Sequence, residues 1–296
     1  MKILVTGSNG LLGQKIITEA ARFKDLTIIA TARGANRLPA GAYEYVPLDI
    51  TNEAQVMEML EQHRPDVVIN TAAMTNVDQS ENEKEACWEL NVTAVEYLVA
   101  ACNQINAHLI HLSTDFIFDG THGPLKEDEQ PNPVNYYGET KLASEHVVES
   151  KCNSWAIART VLVYGIAQGM SRSNIILWVK ESLEAGKTIN VVNDQWRTPT
   201  LAEDLAIGCL LMAKQKTKGI YHISGKDMLT PYEMALQTAD FFKLDKSLIN
   251  ETDGSKFQQT AKRPPKTGFI IAKAQKELGY EPRSFKEGIE ILKQQM

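Results

Sequence analysis

"KILVTGSNGLLG", residues 2–13, gives the clearest indication of how this chain folds. A short run of β-forming residues (2–6) leads directly into a turn with glycines at positions 7, 10 and 13. Apolar residues at helical spacing then continue to residue 23. A strand, a glycine turn and a helix in this order are typical of the phosphate-binding turn of a dinucleotide site.

Each glycine of the turn has its own physical reason. Gly7 permits the tight turn, and Gly10 lets the backbone approach a pyrophosphate at a helix N-terminus, where free N–H groups and the helix dipole favour an anion. Gly13 lets the helix and the strand pack closely. A glycine turn that binds nothing is the alternative. We expect cofactor contacts throughout the turn, from Gly7, Ser8, Asn9, Gly10, Leu11, Leu12 and Gly13.

The rest of the first half alternates between strand-like and helical segments. Strands are predicted at 26–32, 43–48, 66–70, 107–114 and 155–165, and helices at 52–63, at 81–106 and from residue 136. Apolar strands that alternate with helices predict a parallel sheet buried on both faces, in an α/β, doubly wound Rossmann fold.

The second half of the chain alternates less regularly, which indicates a second unit. We expect residues 1–167 to form the dinucleotide-binding domain, and residues 168–296 to form most of a smaller C-terminal substrate-binding region. Two strand-like segments, 188–192 and 219–225, are expected to return to the sheet of the first domain, so that the two units interleave over about 188–228.

The second predicted strand ends on a positive charge. Sites for NAD usually carry an acid here for the ribose hydroxyls, but "ATARGANR" (30–37) has none and offers Arg33, with Arg37 nearby. A guanidinium grips a 2′-phosphate through two parallel bonds, so NADP(H) is the predicted cofactor and NAD(H) the alternative. A solvated surface arginine is the plainer interpretation of Arg33. Further cofactor contacts are expected from Asp49, Ile50, Ala72, Ala73, Met74 and Asn91.

"NYYGETKLASE" (135–145) carries a tyrosine and a lysine one helical turn apart, Tyr137 and Lys141. A nearby ammonium favours the phenolate, so we expect Lys141 to lower the pKa of a proton-transferring Tyr137. Thr114, at the end of the fifth predicted strand, offers a hydroxyl that orients a substrate carbonyl. The Y-x-x-x-K spacing alone is common, but it follows a glycine turn and a strand-end hydroxyl. Tyr136 points elsewhere on the helix.

Composition excludes several classes of protein. The 296 residues are 43% hydrophobic and 23% charged, with a formal net charge of −6, which argues against a nucleic-acid binder. No apolar run approaches the roughly 20 residues needed to cross a membrane. The four cysteines are widely spaced, and His108 and His111 do not form a cluster, so no metal site is predicted. We expect a cytoplasmic protein with reduced thiols.

The motifs together resemble the extended short-chain dehydrogenase/reductases, and in detail the dTDP-4-dehydrorhamnose reductases. "AAMTNVDQSE" (72–81), "STDFIFDG" (113–120), "NYYGETKLASE" and "DQWRTPT" (194–200) are similar to blocks of that family. The resemblance implies reduction of the 4-keto group of dTDP-4-dehydro-6-deoxy-L-mannose to dTDP-L-rhamnose by NADPH. It implies a catalytic trio of Thr114, Tyr137 and Lys141, the last two also contacting the cofactor. Implied substrate contacts are Thr75, Val77, Asp78, Thr114, Trp196 and Arg197.

The sequence departs from the family pattern in places. Arg197 stands where the family usually has glycine, and Gly268 and Phe269 stand where Ser-x-Leu is usual. Some relatives dimerise through magnesium held by glutamates, but no such ligands can be placed here, so no metal is claimed. A nucleotide-sugar substrate and a monomer or a homodimer are expected. The alternative functions are a reductase or epimerase of another keto-sugar nucleotide, and a non-catalytic NADP-binding regulatory subunit of the methionine adenosyltransferase type.

Overall fold

The strands of the protein were located in a computed structural model that describes residues 1–170, 173–256 and 260–296. They are β1 (Lys2–Thr6), β2 (Thr27–Ala32), β3 (Tyr43–Pro47), β4 (Val67–Asn70), β5 (His108–Thr114), β6 (Trp155–Thr160), β7 (Val163–Tyr164), β8 (Ile189–Val192), β9 (Thr200–Leu201), β10 (Gly219–His222) and β11 (Ile249–Thr252). Seven of them form one parallel sheet in the order β10-β6-β5-β4-β1-β2-β3. The predicted doubly wound parallel sheet is confirmed.

The helices in the described ranges alternate with the strands only in part, since α3, α4 and α5 follow one another, as do α10 and α11. They are α1 (Leu11–Ala20), α2 (Glu53–His63), α3 (Val77–Asn82), α4 (Lys84–Trp88), α5 (Ala94–Ile105), α6 (Tyr136–Lys151), α7 (Ile175–Glu184), α8 (Ala202–Gln215), α9 (Pro231–Phe242), α10 (Ala272–Leu278) and α11 (Phe285–Gln295). None of these helices has the length and apolar character needed to span a bilayer.

Two hydrophobic cores cover the two faces of the sheet. One core packs α1, α8 and α10 on the sheet through Ile16, Leu205 and Ala274. The other packs α2, α5 and α6 through Val56, Leu98 and Val148. Because β1 lies between β2 and β4, the connections run in opposite directions on either side of it, and a crevice opens there at the carboxyl ends of the strands.

The long helix predicted at 81–106 is interrupted in the structure. After α4 the chain makes a π-helical turn at Glu89–Thr93 before α5 begins. The Asn91 side chain within this turn bonds both backbone groups of Met74, so the turn is shaped by a contact distant in sequence. Local π-turns are frequent at functional sites, and apolar spacing alone does not reveal them.

The strand predicted at 155–165 also ends early. β6 stops at Thr160, and Leu162 has φ of +35°, a conformation that interrupts an extended chain. β7 then leaves the main sheet and pairs with β9.

A smaller unit is built mainly from the second half of the chain. Its helices α7, α9 and α11 pack in two adjoining cores that include Ile176, Ala235 and Ile289. β10 lies beside β6 at the edge of the main sheet, but residues 189–192 do not return to that sheet as expected. They pair with β11, and β8 buries Ile189 and Val191 on one face only, whereas strands of the main sheet are covered on both faces.

Substituting Gly13 tests the close packing of α1 on the glycine turn. A Cβ at this position would lie 2.5 Å from the Gly7 oxygen and 2.6 Å from the Ser8 Cα, both rigid backbone atoms. We predict that Gly13→Ala lowers the free energy of unfolding by about 1–3 kcal/mol, as overpacking does. Urea denaturation measures it.

Gly254→Ala is the matched control, since the nearest atoms to its added Cβ, at 3.3 Å and beyond, belong to the movable side chains of Asp194 and Gln195. Equal stability of the two variants would contradict the packing assigned to Gly13.

Candidate active site

A cavity of about 1000 Å³ lies at the carboxyl ends of the central strands. It extends from the glycine turn after β1 to the start of α6. The sequence-predicted residues that line it are Asn9, Gly10, Leu11, Leu12, Gly13, Arg33, Ala72, Ala73, Met74, Thr75, Val77, Thr114, Tyr137, Lys141 and Arg197. Residues proposed separately for cofactor, substrate and catalysis therefore face one continuous space.

The glycine turn presents backbone rather than side chains to this cavity. Gly7 has φ of +66°, and a Cβ there would meet the Ala72 nitrogen at 2.8 Å. Gly10 caps α1 without a side-chain hydrogen bond, which leaves first-turn N–H groups available for an anion. Asn9 braces the turn, since its Oδ1 accepts from the Arg37 N–H at 2.9 Å and its Nδ2 donates to the Ala35 carbonyl at 3.0 Å.

Two arginines border the cavity where β2 ends. Arg33 and Arg37 both line it and both are exposed, so neither side chain is buried against the protein. Arg37 donates weakly to the Gly169 carbonyl at 3.4 Å. This end of the cavity is thus cationic, as the sequence predicts.

Five predicted cofactor contacts, Asn91 among them, lie outside the lining of the cavity. Gly7 and Ser8 sit beneath the turn, where the Ser8 N–H donates to the Thr31 carbonyl at 3.0 Å. The Asp49 carboxylate accepts from the backbone and hydroxyl of Thr51, at 3.0 and 2.8 Å, so it stabilises the turn into α2. Ile50 is buried in the core below.

Asn91 lies behind the cavity lining and bonds the backbone of Met74, which does line the cavity. Its Oδ1 accepts from the Met74 N–H at 2.8 Å, and its Nδ2 donates to the Met74 carbonyl at 3.1 Å and to Thr140 Oγ1 at 3.1 Å. The side chain is 1% exposed and does not line the cavity. It fixes the loop that follows β4 rather than facing a ligand.

Tyr137, Lys141 and Thr114 all line the cavity. Burial raises the pKa of Tyr137, and hydrogen bonding by the Thr114 hydroxyl only partly offsets it. Lys141 was expected to lower this pKa, but burial dominates it, and the group that opposes the rise is Thr114 and not Lys141. A phenol that stays protonated at neutral pH is suited to donate a proton, the direction that a carbonyl reduction requires.

Lys141 contacts His111, a residue for which the sequence suggested no role in the site. Its Nζ lies 3.1 Å from His111 Nε2, and both side chains are buried. Burial lowers the pKa of Lys141 to about 8, an effect that the Glu145 carboxylate opposes. The ammonium therefore sits in the floor of the site beside an imidazole.

The Thr114 hydroxyl is held by its neighbour. It donates to Asp115 Oδ1 at 3.1 Å and accepts from the Phe116 N–H at 3.2 Å. Burial raises the pKa of Asp115, and Arg197, whose Nε lies 3.8 Å from Oδ2, opposes the rise. Thr267 also donates to Asp115.

Arg197 was predicted as a substrate contact, and in the structure its guanidinium bonds backbone carbonyls of the protein. Nη2 donates to the Pro264 carbonyl at 2.7 Å, and Nη1 donates to the Pro265 carbonyl at 3.1 Å. The residue is 4% exposed although it lines the cavity. It therefore ties the Pro264-Pro265 loop to Asp115. The neighbouring Trp196 does not line the cavity, and its backbone bonds Pro265 and Thr267.

Asp78, also predicted as a substrate contact, is engaged by an arginine. Its two carboxylate oxygens accept from Arg263 Nη1 and Nη2, each at 2.7 Å, and it does not line the cavity. Arg263 does line it, so Asp78 positions the cation that faces the space. The Arg-Pro pair in the tail sequence was the available signal for Arg263, but its ion pair with a residue 185 positions away was not readable.

The family model described as RmlD substrate binding domain matches residues 1–296. The chain belongs to this family. The resemblance to dTDP-4-dehydrorhamnose reductases stated from its motifs is confirmed.

Known proteins similar to the chain include both reductases and a subunit. Methionine adenosyltransferase 2 subunit beta of Xenopus laevis is 34% identical, over 83% of this chain and 73% of that protein. The probable low-salt glycan biosynthesis reductase Agl14 of Haloferax volcanii is 30% identical, over 99% and 97%. The structure of dTDP-4-dehydrorhamnose reductase from Bacillus anthracis in complex with NADP matches with a TM-score of 0.85 at 26% identity, over 100% and 99%. The predicted class, an NAD(P)H-dependent oxidoreductase, agrees with the full-length matches.

The ion pair of Asp78 gives a pH-dependent prediction. Arg263 lowers the pKa of Asp78 to about 2 from an ordinary value of 3.8. A carboxylate with a depressed folded-state pKa stabilises the protein above its unfolded pKa, and this contribution fades as pH falls from about 4 towards 2. We therefore predict that Asp78→Asn is less stable than wild type at pH 7, and that the difference shrinks below about pH 4.

Urea denaturation at several pH values between 7 and 3 measures that difference, with the exposed Asp240→Asn as control. A difference that stays constant down to pH 3 would show that the ion pair does not act as described.

Proposed function

We propose that the protein reduces the keto group of a sugar nucleotide with NADPH, and specifically the 4-keto group of dTDP-4-dehydro-6-deoxy-L-mannose to give dTDP-L-rhamnose. The observation that carries the proposal is the convergence of Thr114, Tyr137 and Lys141 on one cavity with the glycine turn. A phenol, an ammonium and an alcohol beside a dinucleotide-binding turn are suited to carbonyl reduction.

The residues present fit a dinucleotide. The backbone of Gly10 and the first turn of α1 would hold the pyrophosphate, where no side chain obstructs an approach. Arg33 and Arg37 would hold a 2′-phosphate, which favours NADP(H) over NAD(H). When bound, the cofactor supplies the hydride that reduces the substrate carbonyl.

The chain's own groups would handle the proton and the charge. Tyr137, kept protonated by burial, donates a proton to the carbonyl oxygen as negative charge develops on it. Lys141 places positive charge in the floor of the site and would hold the cofactor ribose. Thr114 would orient the carbonyl once its single hydroxyl proton turns from Asp115 to the substrate oxygen.

The far end of the cavity would take the nucleotide portion of the substrate. Arg263, Thr75 and Val77 line it, together with Gln195. Because Asp78 occupies both Nη atoms of Arg263, the guanidinium is fixed in place and supplies positive charge for a diphosphate without having to be ordered on binding.

A second candidate function follows from the similarity to methionine adenosyltransferase 2 subunit beta. In that role the chain would bind a synthetase as a subunit and would not need Tyr137 and Lys141 to line one cavity. Co-purification with a synthetase and no NADPH consumption would favour this function.

A third candidate function is reduction or epimerisation of another keto-sugar nucleotide. Cofactor retained through turnover would favour an epimerase.

Replacing the phenol tests the proposed chemistry. We predict that Tyr137→Phe lowers kcat by about 100-fold or more, because the general acid is lost. NADPH affinity should stay nearly unchanged. NADPH oxidation with dTDP-4-dehydro-6-deoxy-L-mannose and a panel of other keto-sugar nucleotides measures turnover, and fluorescence titration measures affinity.

Tyr136→Phe is the matched control for this experiment. It removes the same hydroxyl from the adjacent position, which does not line the cavity, so its turnover should equal that of wild type. Full activity in Tyr137→Phe would refute the role assigned to the phenol.

Replacing Arg33 tests cofactor choice. We predict that Arg33→Ala weakens NADPH binding by about tenfold and leaves NADH binding unchanged, because only the former has a 2′-phosphate for the guanidinium to bind. Titration with both cofactors, and Arg22→Ala as an arginine control outside the cavity, measures this. A parallel loss for both cofactors would contradict the 2′-phosphate assignment.

A further inference from the structure

A buried polar network lies beneath the cavity and connects β4, β5 and α6. His111 is its centre, with Nε2 3.1 Å from Lys141 Nζ and 3.0 Å from Ser144 Oγ. The opposite ring nitrogen, Nδ1, lies 3.2 Å from Nδ2 of Asn70. The Oδ1 of the same amide accepts from the Thr6 hydroxyl at 2.6 Å. His111, Asn70 and Ser144 have no role in the chemistry described above.

The chemistry of the donors settles what His111 does towards Lys141. An ammonium has three protons and no lone pair, so it can only donate. The Ser144 hydroxyl already donates to the Lys141 carbonyl at 2.7 Å. With the ring proton on Nε2, an N–H would face the ammonium at 3.1 Å, whereas with the proton on Nδ1 the Nε2 lone pair accepts from Lys141. The charge of Lys141 therefore favours the tautomer with the proton on Nδ1. This tautomer requires the Asn70 amide to be rotated by a half-turn, so that its oxygen, in place of its nitrogen, accepts from Nδ1–H and its nitrogen donates to Thr6 Oγ1.

We propose that His111 is a positioning residue for the reaction, one whose neutral imidazole accepts a hydrogen bond from Lys141 and so holds its ammonium, charged, in the floor of the site. One proton of Lys141 is then directed into the sheet. The other two remain for groups in the cavity. This inference rests on the proposed function, because it takes the ammonium of Lys141 to hold the cofactor ribose.

The electrostatics of the site agree with this geometry. Burial and the charge of Lys141 keep the pKa of His111 well below its ordinary value of 6.5, so the imidazole stays neutral and able to accept. Burial lowers the pKa of Lys141 to about 8. The other titratable groups that act on Lys141 are Glu145 and the Cys87 thiol. Glu145 forms an ion pair with Arg159, in which Oε2 lies 2.7 Å from Nη2.

Cofactor binding as a function of pH tests the proposal. In wild type, NADPH affinity should fall as pH rises through the pKa of Lys141, near 8. His111→Leu removes the acceptor, and we expect the midpoint of that fall to move to lower pH by about one unit, the size of one charge-assisted hydrogen bond. At pH 8 this corresponds to about a fivefold loss of the charged form. Fluorescence titration from pH 6 to 10 measures the midpoint.

Two glutamine variants separate an acceptor from a space-filling role. His111→Gln restores an acceptor oxygen and should return the midpoint towards that of wild type. His108→Gln changes a buried histidine of the same strand that does not line the cavity, and should leave it unaltered. His111→Phe serves as a second apolar variant, of closer volume, if His111→Leu fails to fold.

Three results would overturn the proposal: an unshifted midpoint in the folded apolar variant, an equal shift in His111→Gln, or no pH dependence of NADPH affinity in wild type. A different result would contradict the proposed function while leaving the role of His111 intact. If wild type shows the midpoint near pH 8 and its shift in His111→Leu, but consumes no NADPH with any keto-sugar nucleotide, then His111 positions Lys141 in a protein with another activity.

Discussion

The close approach of α6 to the segment after β5 is the constraint on which the site depends. A Cβ at Gly138 would lie 2.1 Å from the Phe116 carbonyl oxygen, so only glycine lets the first turn of the helix reach this position. Asn135 caps the helix through the Gly138 N–H at 2.8 Å and holds the Lys262 carbonyl at 2.8 Å. This approach sets Tyr137 beside the end of β5, where Thr114 lies, and aligns Lys141 over the sheet.

Around this contact the chain arranges polar groups in two layers. The layer that faces the cavity contains the phenol, the ammonium and the alcohol. The layer below contains their partners, with His111 accepting from Lys141 and Asp115 from Thr114. A buried charged or polar group is costly unless it is paired, so the second layer stabilises the first and also fixes where its protons point. Asn91 and Asp78 support the walls of the cavity in the same way.

Much of the fold and of the cavity lining could be predicted from local patterns. Strand–helix alternation and the glycine spacing are properties of neighbouring residues, as is the one-turn separation of Tyr137 and Lys141. The errors came where a distant contact decided the outcome. Asp78 pairs with Arg263, which is far along the chain. Residues 189–192 pair with β11, and the π-turn around Asn91 is shaped by Met74. No local pattern encodes these contacts.

The proposed reaction requires Tyr137 to protonate the oxygen at C4 of a sugar nucleotide held beside the dinucleotide. A crystal structure with NADP⁺ and dTDP-L-rhamnose, the product, measures that distance. We predict that the Tyr137 hydroxyl lies within about 2.6–3.2 Å of the C4 oxygen, with that carbon facing the nicotinamide ring. A sugar bound with C4 turned away from Tyr137, or a phenol that never reaches the ligand, would contradict it.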